Sequence, residues 1–80
     1  MLYSKMSNIE ELVIKGKRFL ERGNFEEALG LFEQALLLNQ SNPELWNHKG
    51  TTLRSMGRYS EAIECFNKSL ELDPRDRKSS

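Results

Sequence analysis

The sequence predicts an all-α protein, a short α-solenoid of two stacked helix–turn–helix hairpins with four antiparallel helices. Three observations carry this. The chain resembles itself at an offset of thirty-four residues: Gly16 matches Gly50, Gly23 matches Gly57, Phe25 matches Tyr59, Ala28 matches Ala62 and Phe32 matches Phe66. A period of that length marks a helical repeat, not a closed globular domain. Within each copy the apolar residues recur at helical spacing, and the links from Arg22 to Phe25 and from Met56 to Tyr59 are very short. Links that short force neighbouring helices to run antiparallel.

Ser7 or Asn8 is positioned to cap the first helix, with Glu10 and Glu11 at the positive end of its dipole. Its apolar residues are Ile9, Leu12, Val13, Phe19 and Leu20. Gly16 interrupts it at up to about 1 kcal/mol relative to alanine. Its recurrence as Gly50 argues that a neighbouring helix approaches closely there. Gly23 and Asn24 end this helix, since glycine takes the left-handed terminating conformation without a side-chain clash. The second helix begins at Phe25 and carries a broad stripe: Ala28, Leu29, Leu31, Phe32, Ala35, Leu36 and Leu38. Such breadth fits a helix packed on more than one neighbour.

The polar stretch 39–42 then turns the chain. Asn42 is the expected cap of the third helix, and Pro43 suits its first turn, where a missing donor costs nothing. Trp46, Gly50, Leu53 and Met56 share one face of this helix, and Gly57 and Arg58 end it. The fourth helix runs from about Tyr59 to Leu72, with Ala62, Ile63, Phe66, Leu70 and Leu72 inward, and stops at Asp73 and Pro74. Ala28 and Ala62 are expected where the helices of a hairpin come closest, and Phe32 and Phe66 at the junction between hairpins.

These residues resemble the tetratricopeptide repeat family. The second copy carries the pattern most fully in Trp46, Gly50, Leu53, Gly57, Tyr59, Ala62, Phe66 and Pro74; the first carries Leu12, Gly16, Phe19, Gly23, Phe25, Ala28, Phe32 and Ala35. The departures are Leu12 in place of tryptophan, Gln40 opposite Pro74, Ser69 opposite Ala35, and Lys15 and Lys49 where leucine is commoner. The resemblance spans 9–74 and divides the chain into a leader (1–8), a first repeat (9–42), a second repeat (43–74) and a polar, basic tail (75–80).

The resemblance implies a right-handed superhelix whose concave groove is lined by the first helix of each repeat and binds a protein or peptide. The implied groove residues are Glu10, Val13, Lys17, Leu20 and Glu21 from the first repeat, and Glu44, Asn47, Thr51, Arg54 and Ser55 from the second. Some members grip a peptide's terminal carboxylate with lysine and asparagine. Here those positions fall on Val13 and Lys17, so that clamp is not matched. Lys17, Asn47 and Arg54 leave an acidic peptide open, beside the plainer reading of solvated groove positions.

Arrays of this kind need a polar cap on their last repeat. The tail from Arg75 to Ser80 is too short and polar to supply one. Ile63, Phe66, Leu70 and Leu72 are therefore a candidate oligomer interface, because contiguous apolar surface usually marks contact. Homo-oligomer, monomer with a small bare patch, and fragment or half of a hetero-complex all stay open.

Other classes are disfavoured. The net charge is zero with 30% charged and 38% hydrophobic residues, which suits a folded protein. The basic residues Arg75, Arg77 and Lys78 are too few for strong nucleic-acid affinity, and Phe25, Phe32, Tyr59 and Phe66 are committed to packing. No apolar run approaches the roughly twenty residues that span a bilayer, and Lys5 is followed by no signal-type stretch. The single Cys65 cannot form an intrachain disulfide, compatible with a cytoplasmic setting. The lone His48 and Cys65 lie at different helical phases, and the paired glutamates suit helix starts. No catalytic group, metal site or cofactor is expected, and the chain is read as a non-enzymatic module.

Overall fold

The computed structural model describes residues 7–74; the expected leader (apart from Ser7 and Asn8) and the tail with Arg75, Arg77 and Lys78 lie outside them. The described residues fold into four helices: α1 (Asn8–Arg22), α2 (Phe25–Leu38), α3 (Pro43–Ser55) and α4 (Tyr59–Leu72). None is long and apolar enough to cross a membrane. Packing is most extensive within each hairpin, α1 on α2 and α3 on α4, and α2 against α3 joins the two.

Local chemistry sets the helix ends. Ser7, not Asn8, caps α1: the Glu10 amide donates to its Oγ at 3.1 Å, and the Ser7 amide donates to Glu10 Oε1 at 3.2 Å. This reciprocal box satisfies two amides that the helix leaves unpaired. Asn42 Oδ1 accepts from the Glu44 amide at 2.9 Å at the start of α3. Gly23 and Gly57 sit at φ +86° and +85°. Each closes its helix in the same way, with Asn24 donating to the Phe19 carbonyl at 2.8 Å and Arg58 to the Leu53 carbonyl at 2.9 Å. That pairing needs a left-handed residue, which glycine supplies without strain.

The helical glycines mark the close approaches. A Cβ on Gly16 would stand 2.6 Å from the Phe32 ring, and one on Gly50 would stand 2.7 Å from the Phe66 ring. Phe32 is fully buried, as are Ala28 and Ala35. Its ring also stacks on His48, with ring centroids 5.2 Å apart and planes 19° apart. Phe32 thus locks α1 to α2 and the first hairpin to the second. Two apolar clusters flank it. Ala35, Leu36 and Leu45 gather Ile9, Leu12, Val13 and Trp46; Leu53, Ala62 and Cys65 gather Leu29, Trp46 and Phe66. Trp46 joins both clusters, and its indole N–H donates to the Gln40 carbonyl at 2.9 Å. Buried Thr52 donates its hydroxyl to the His48 carbonyl.

Several expected inward positions are not inward. Ile63 is 58% exposed and Leu70 36%, while Cys65 and Ser69 take the buried places on α4. Among the described residues no helix packs over the face of α4 that carries Ile63 and Leu70. For the same reason Phe66 closes its own hairpin over Gly50 and is only half-buried, instead of filling a junction between hairpins. Leu72 is half-buried. Leu38 is 55% exposed because it lies in the last turn of α2, past the Leu36–Leu45 contact.

Candidate functional site: the hollow between the first and third helices

Because α2 lies between them, α1 and α3 run in the same sense and begin at the same end of the stack. Between their first two turns lies a hollow of about 510 Å³. Ile9, Glu10, Val13 and Ile14 line it from α1; Asn42, Glu44, Leu45 and His48 line it from the start of α3. The floor is aliphatic and the carboxylates of Glu10 and Glu44 stand at its rim. Ile14 is 39% exposed, a large aliphatic side chain open to a ligand.

His48 is the polar member of the wall. One face of its ring is covered by Phe32, and the residue is half-buried. Burial first, and then the nearby Lys17 ammonium, hold its pKa below the ordinary 6.5, with the Glu44 carboxylate pulling the other way. The imidazole is therefore neutral at pH 7 and able both to donate and to accept a hydrogen bond.

Of the groove residues expected from the sequence, the hollow brings together Glu10, Val13 and Glu44. Lys17 is exposed, one turn along α1, within electrostatic reach of His48. Leu20 and Thr51 are half-buried, and Glu21, Asn47, Arg54 and Ser55 are exposed; all six lie outside the hollow. Arg54 places its guanidinium 6.0 Å from the Phe66 ring centroid, over the second hairpin's own aromatic. The sequence reading missed Ile14 and His48. Both follow a rim glutamate by four residues, Glu10 to Ile14 and Glu44 to His48, and they are thirty-four residues apart. That joint spacing was the available signal, since residues four apart share a helix face.

A second, shallower cleft of about 610 Å³ opens between α2 and α3, where Gly30 leaves space above Trp46 and Leu37. Lys49 crosses it, 3.7 Å from Glu33 and 5.6 Å from the Trp46 ring centroid. The third feature is the outer flank of α4. Its Ile63, Phe66 and Leu70 repeat Leu29, Phe32 and Leu36 of α2 at the thirty-four-residue offset. On α2 these positions lie beneath α3, and Phe32 and Leu36 are 0% and 5% exposed. Cys65 is a buried free thiol whose pKa burial pushes up, against the opposing Lys49 charge. Among the described residues no group of three or more His, Cys, Asp or Glu is placed to hold a metal ion.

Family models place the chain among known proteins. Residues 43–76 match one tetratricopeptide repeat model and residues 16–44 match another. The chain is 37% identical over 65 residues to the Hsp70-Hsp90 organizing protein of Triticum aestivum, covering 81% of this chain and 11% of that protein. It is 39% identical over 59 residues to an uncharacterized protein of Methanocaldococcus jannaschii, covering 74% of this chain and 69% of the relative. The peroxisomal targeting signal receptor of Saccharomyces cerevisiae is 32% identical over 59 residues, 74% of this chain and 10% of the receptor. The chain thus spans only about a tenth of the two relatives whose names state a role.

Proposed function

The chain belongs to the tetratricopeptide repeat family of protein–protein interaction modules, and from that premise we propose that it binds a segment of another protein along the face shared by α1 and α3. The observation that carries this is the hollow with its aliphatic floor and polar rim. The first helices of both repeats line it, and small concave sites of this make-up suit short ligand segments. Two relatives are named as an organizer of Hsp70 and Hsp90 and as a receptor for a targeting signal, roles that engage other polypeptides. The expected groove set, from Glu10 and Val13 to Arg54 and Ser55, extends this surface along both helices. No catalytic step and no cofactor is part of this reading, and its setting is the cytoplasm.

Peptides selected against the chain from a random library test it. Ile14→Ser removes an exposed aliphatic anchor without touching the core. It is expected to weaken the selected peptides by roughly fivefold or more, the effect of losing about 1 kcal/mol of apolar burial. Unchanged affinity in a variant with unchanged far-ultraviolet circular dichroism would overturn the reading.

A second reading has its own observation. The bare α4 flank carries Ile63, Phe66, Leu70 and Leu72, and the first three repeat the α2 surface that takes a helix. The chain then assembles with itself through that flank. Solution mass measured over a hundredfold concentration range decides this. A dimer that Ile63→Asp returns to monomer supports it, and a monomer at high micromolar concentration excludes it.

A further inference from the structure

The hollow has a charge character as well as a shape. Lys49 pairs with Glu33 and Arg58 with Glu61, and neither pair lies in it. Glu10 accepts from the Ser7 amide through one carboxylate oxygen, Oε1. Glu44 contributes only its backbone amide to the Asn42 cap. Both residues stand in the first turn of their helices. Each helix start carries about half a positive charge, so two full carboxylates outweigh two helix ends. The rim is left net negative at the helix starts, while at the His48 ring, one turn further in, the Lys17 charge outweighs that of Glu44. Beneath the rim the floor of Val13, Ile14 and Leu45 has no polar side chain to offer.

We propose that the hollow takes a partner segment in which an aliphatic side chain stands next to a lysine or arginine, the aliphatic group on Val13 and Ile14 and the cation against Glu10 and Glu44. This rests on the groove-binding reading above and specifies its ligand. A segment carrying a carboxylate at that place would meet two like charges, and like-charge contact is a strong source of discrimination between partners. The cations Lys17 and Arg54 lie further along the two helices, outside the hollow. They set the polarity of the bound segment: its basic end lies toward the helix starts.

Three fluorescein-labelled eight-residue peptides with the same two leucines test the assignment, one carrying lysine and arginine, one glutamate and aspartate, and one serine and glutamine. Fluorescence anisotropy gives affinity, and amide shifts of the ¹⁵N-labelled chain give position. The basic peptide is expected to bind up to roughly tenfold tighter than the neutral one, two rim charges contributing together. Its advantage shrinks at high salt, where exposed charges are screened. Glu44→Gln should cut the affinity for the basic peptide by roughly two- to fivefold and leave the neutral peptide unaffected. If the neutral or acidic peptide binds as tightly and moves the same Val13 and Ile14 resonances, the charge assignment falls and the groove reading stands. If Glu44→Gln changes nothing for the basic peptide, the assignment also falls. If no peptide moves those resonances at millimolar concentration, both readings fail.

Discussion

Replacing Gly16 with alanine probes the contact on which the first hairpin turns. The new Cβ would stand 2.6 and 2.7 Å from two carbons of the Phe32 ring. Carbon atoms pack comfortably at about 3.5–4.0 Å, so the ring must retreat by roughly 1 Å. It cannot do so freely, because Phe32 is fully buried and its ring is stacked on His48, with centroids 5.2 Å apart. Overpacking of a locked site costs about 1–3 kcal/mol. An overlap as short as 2.6 Å falls in the upper part of that range, about 2–3 kcal/mol, and alanine returns about 1 kcal/mol of helix propensity, so the net loss is about 1–2 kcal/mol. For a domain of this size that lowers Tm by roughly 4–16 °C. Gly50→Ala makes nearly the same overlap with Phe66, at 2.7 Å, but that ring is half-buried beside the bare α4 flank and can tilt outward. Its propensity gain then offsets most of the strain. Gly30→Ala meets nothing within 4 Å and should stabilise by about 0.5–1 kcal/mol. Urea and thermal unfolding of the three variants should rank Gly30→Ala above the parent, Gly50→Ala near it and Gly16→Ala below. A Gly16→Ala protein as stable as the parent would refute the reasoning.

Two further outcomes follow from buried positions. Ala28 is fully buried within the first hairpin, so Ala28→Leu should cost about 1–3 kcal/mol and unfold this small domain, and a thermal melt unchanged within error would refute that packing. His48 has its folded-state pKa below 6.5 through burial and the Lys17 charge, with Glu44 opposing. The unfolded chain therefore takes up the proton first as pH falls, so the stability tied to neutral His48 is complete above about pH 6.5 and is lost as pH drops below it. Melts from pH 7.5 to 5 should show a steeper loss in the parent than in His48→Gln, and parallel slopes would refute it.

The fold was legible because its punctuation is local. Glycine at 23 and 57, proline at 43 and the polar caps at 7 and 42 each act within a few residues of themselves, and the thirty-four-residue echo showed that the second hairpin copies the first. The close approach at Gly16 was legible because Gly50 repeats it. The face that lines the hollow was harder. One residue along a helix turns a side chain by about 100°, so choosing Asn47 instead of His48 missed the hollow, while Glu10, Val13 and Glu44 were found. Ile63 and Leu70 show a different limit. Apolar periodicity states which face of α4 can be buried, but only a neighbouring helix buries it, and periodicity carries no information about that neighbour. Leu38 was misplaced for the same reason, at the end of α2 where the cover of α3 gives out.

The central claim is that the face shared by α1 and α3 holds a partner's segment. Mapping a library-selected peptide onto the ¹⁵N-labelled chain by amide shifts tests it most directly. The account predicts that the largest shifts fall on Glu10, Val13, Ile14 and His48, while Ile63 and Leu70 on α4 and Leu37 beside the α2–α3 cleft stay in place. Shifts centred on Ile63 and Leu70, with the hollow unmoved, would contradict it.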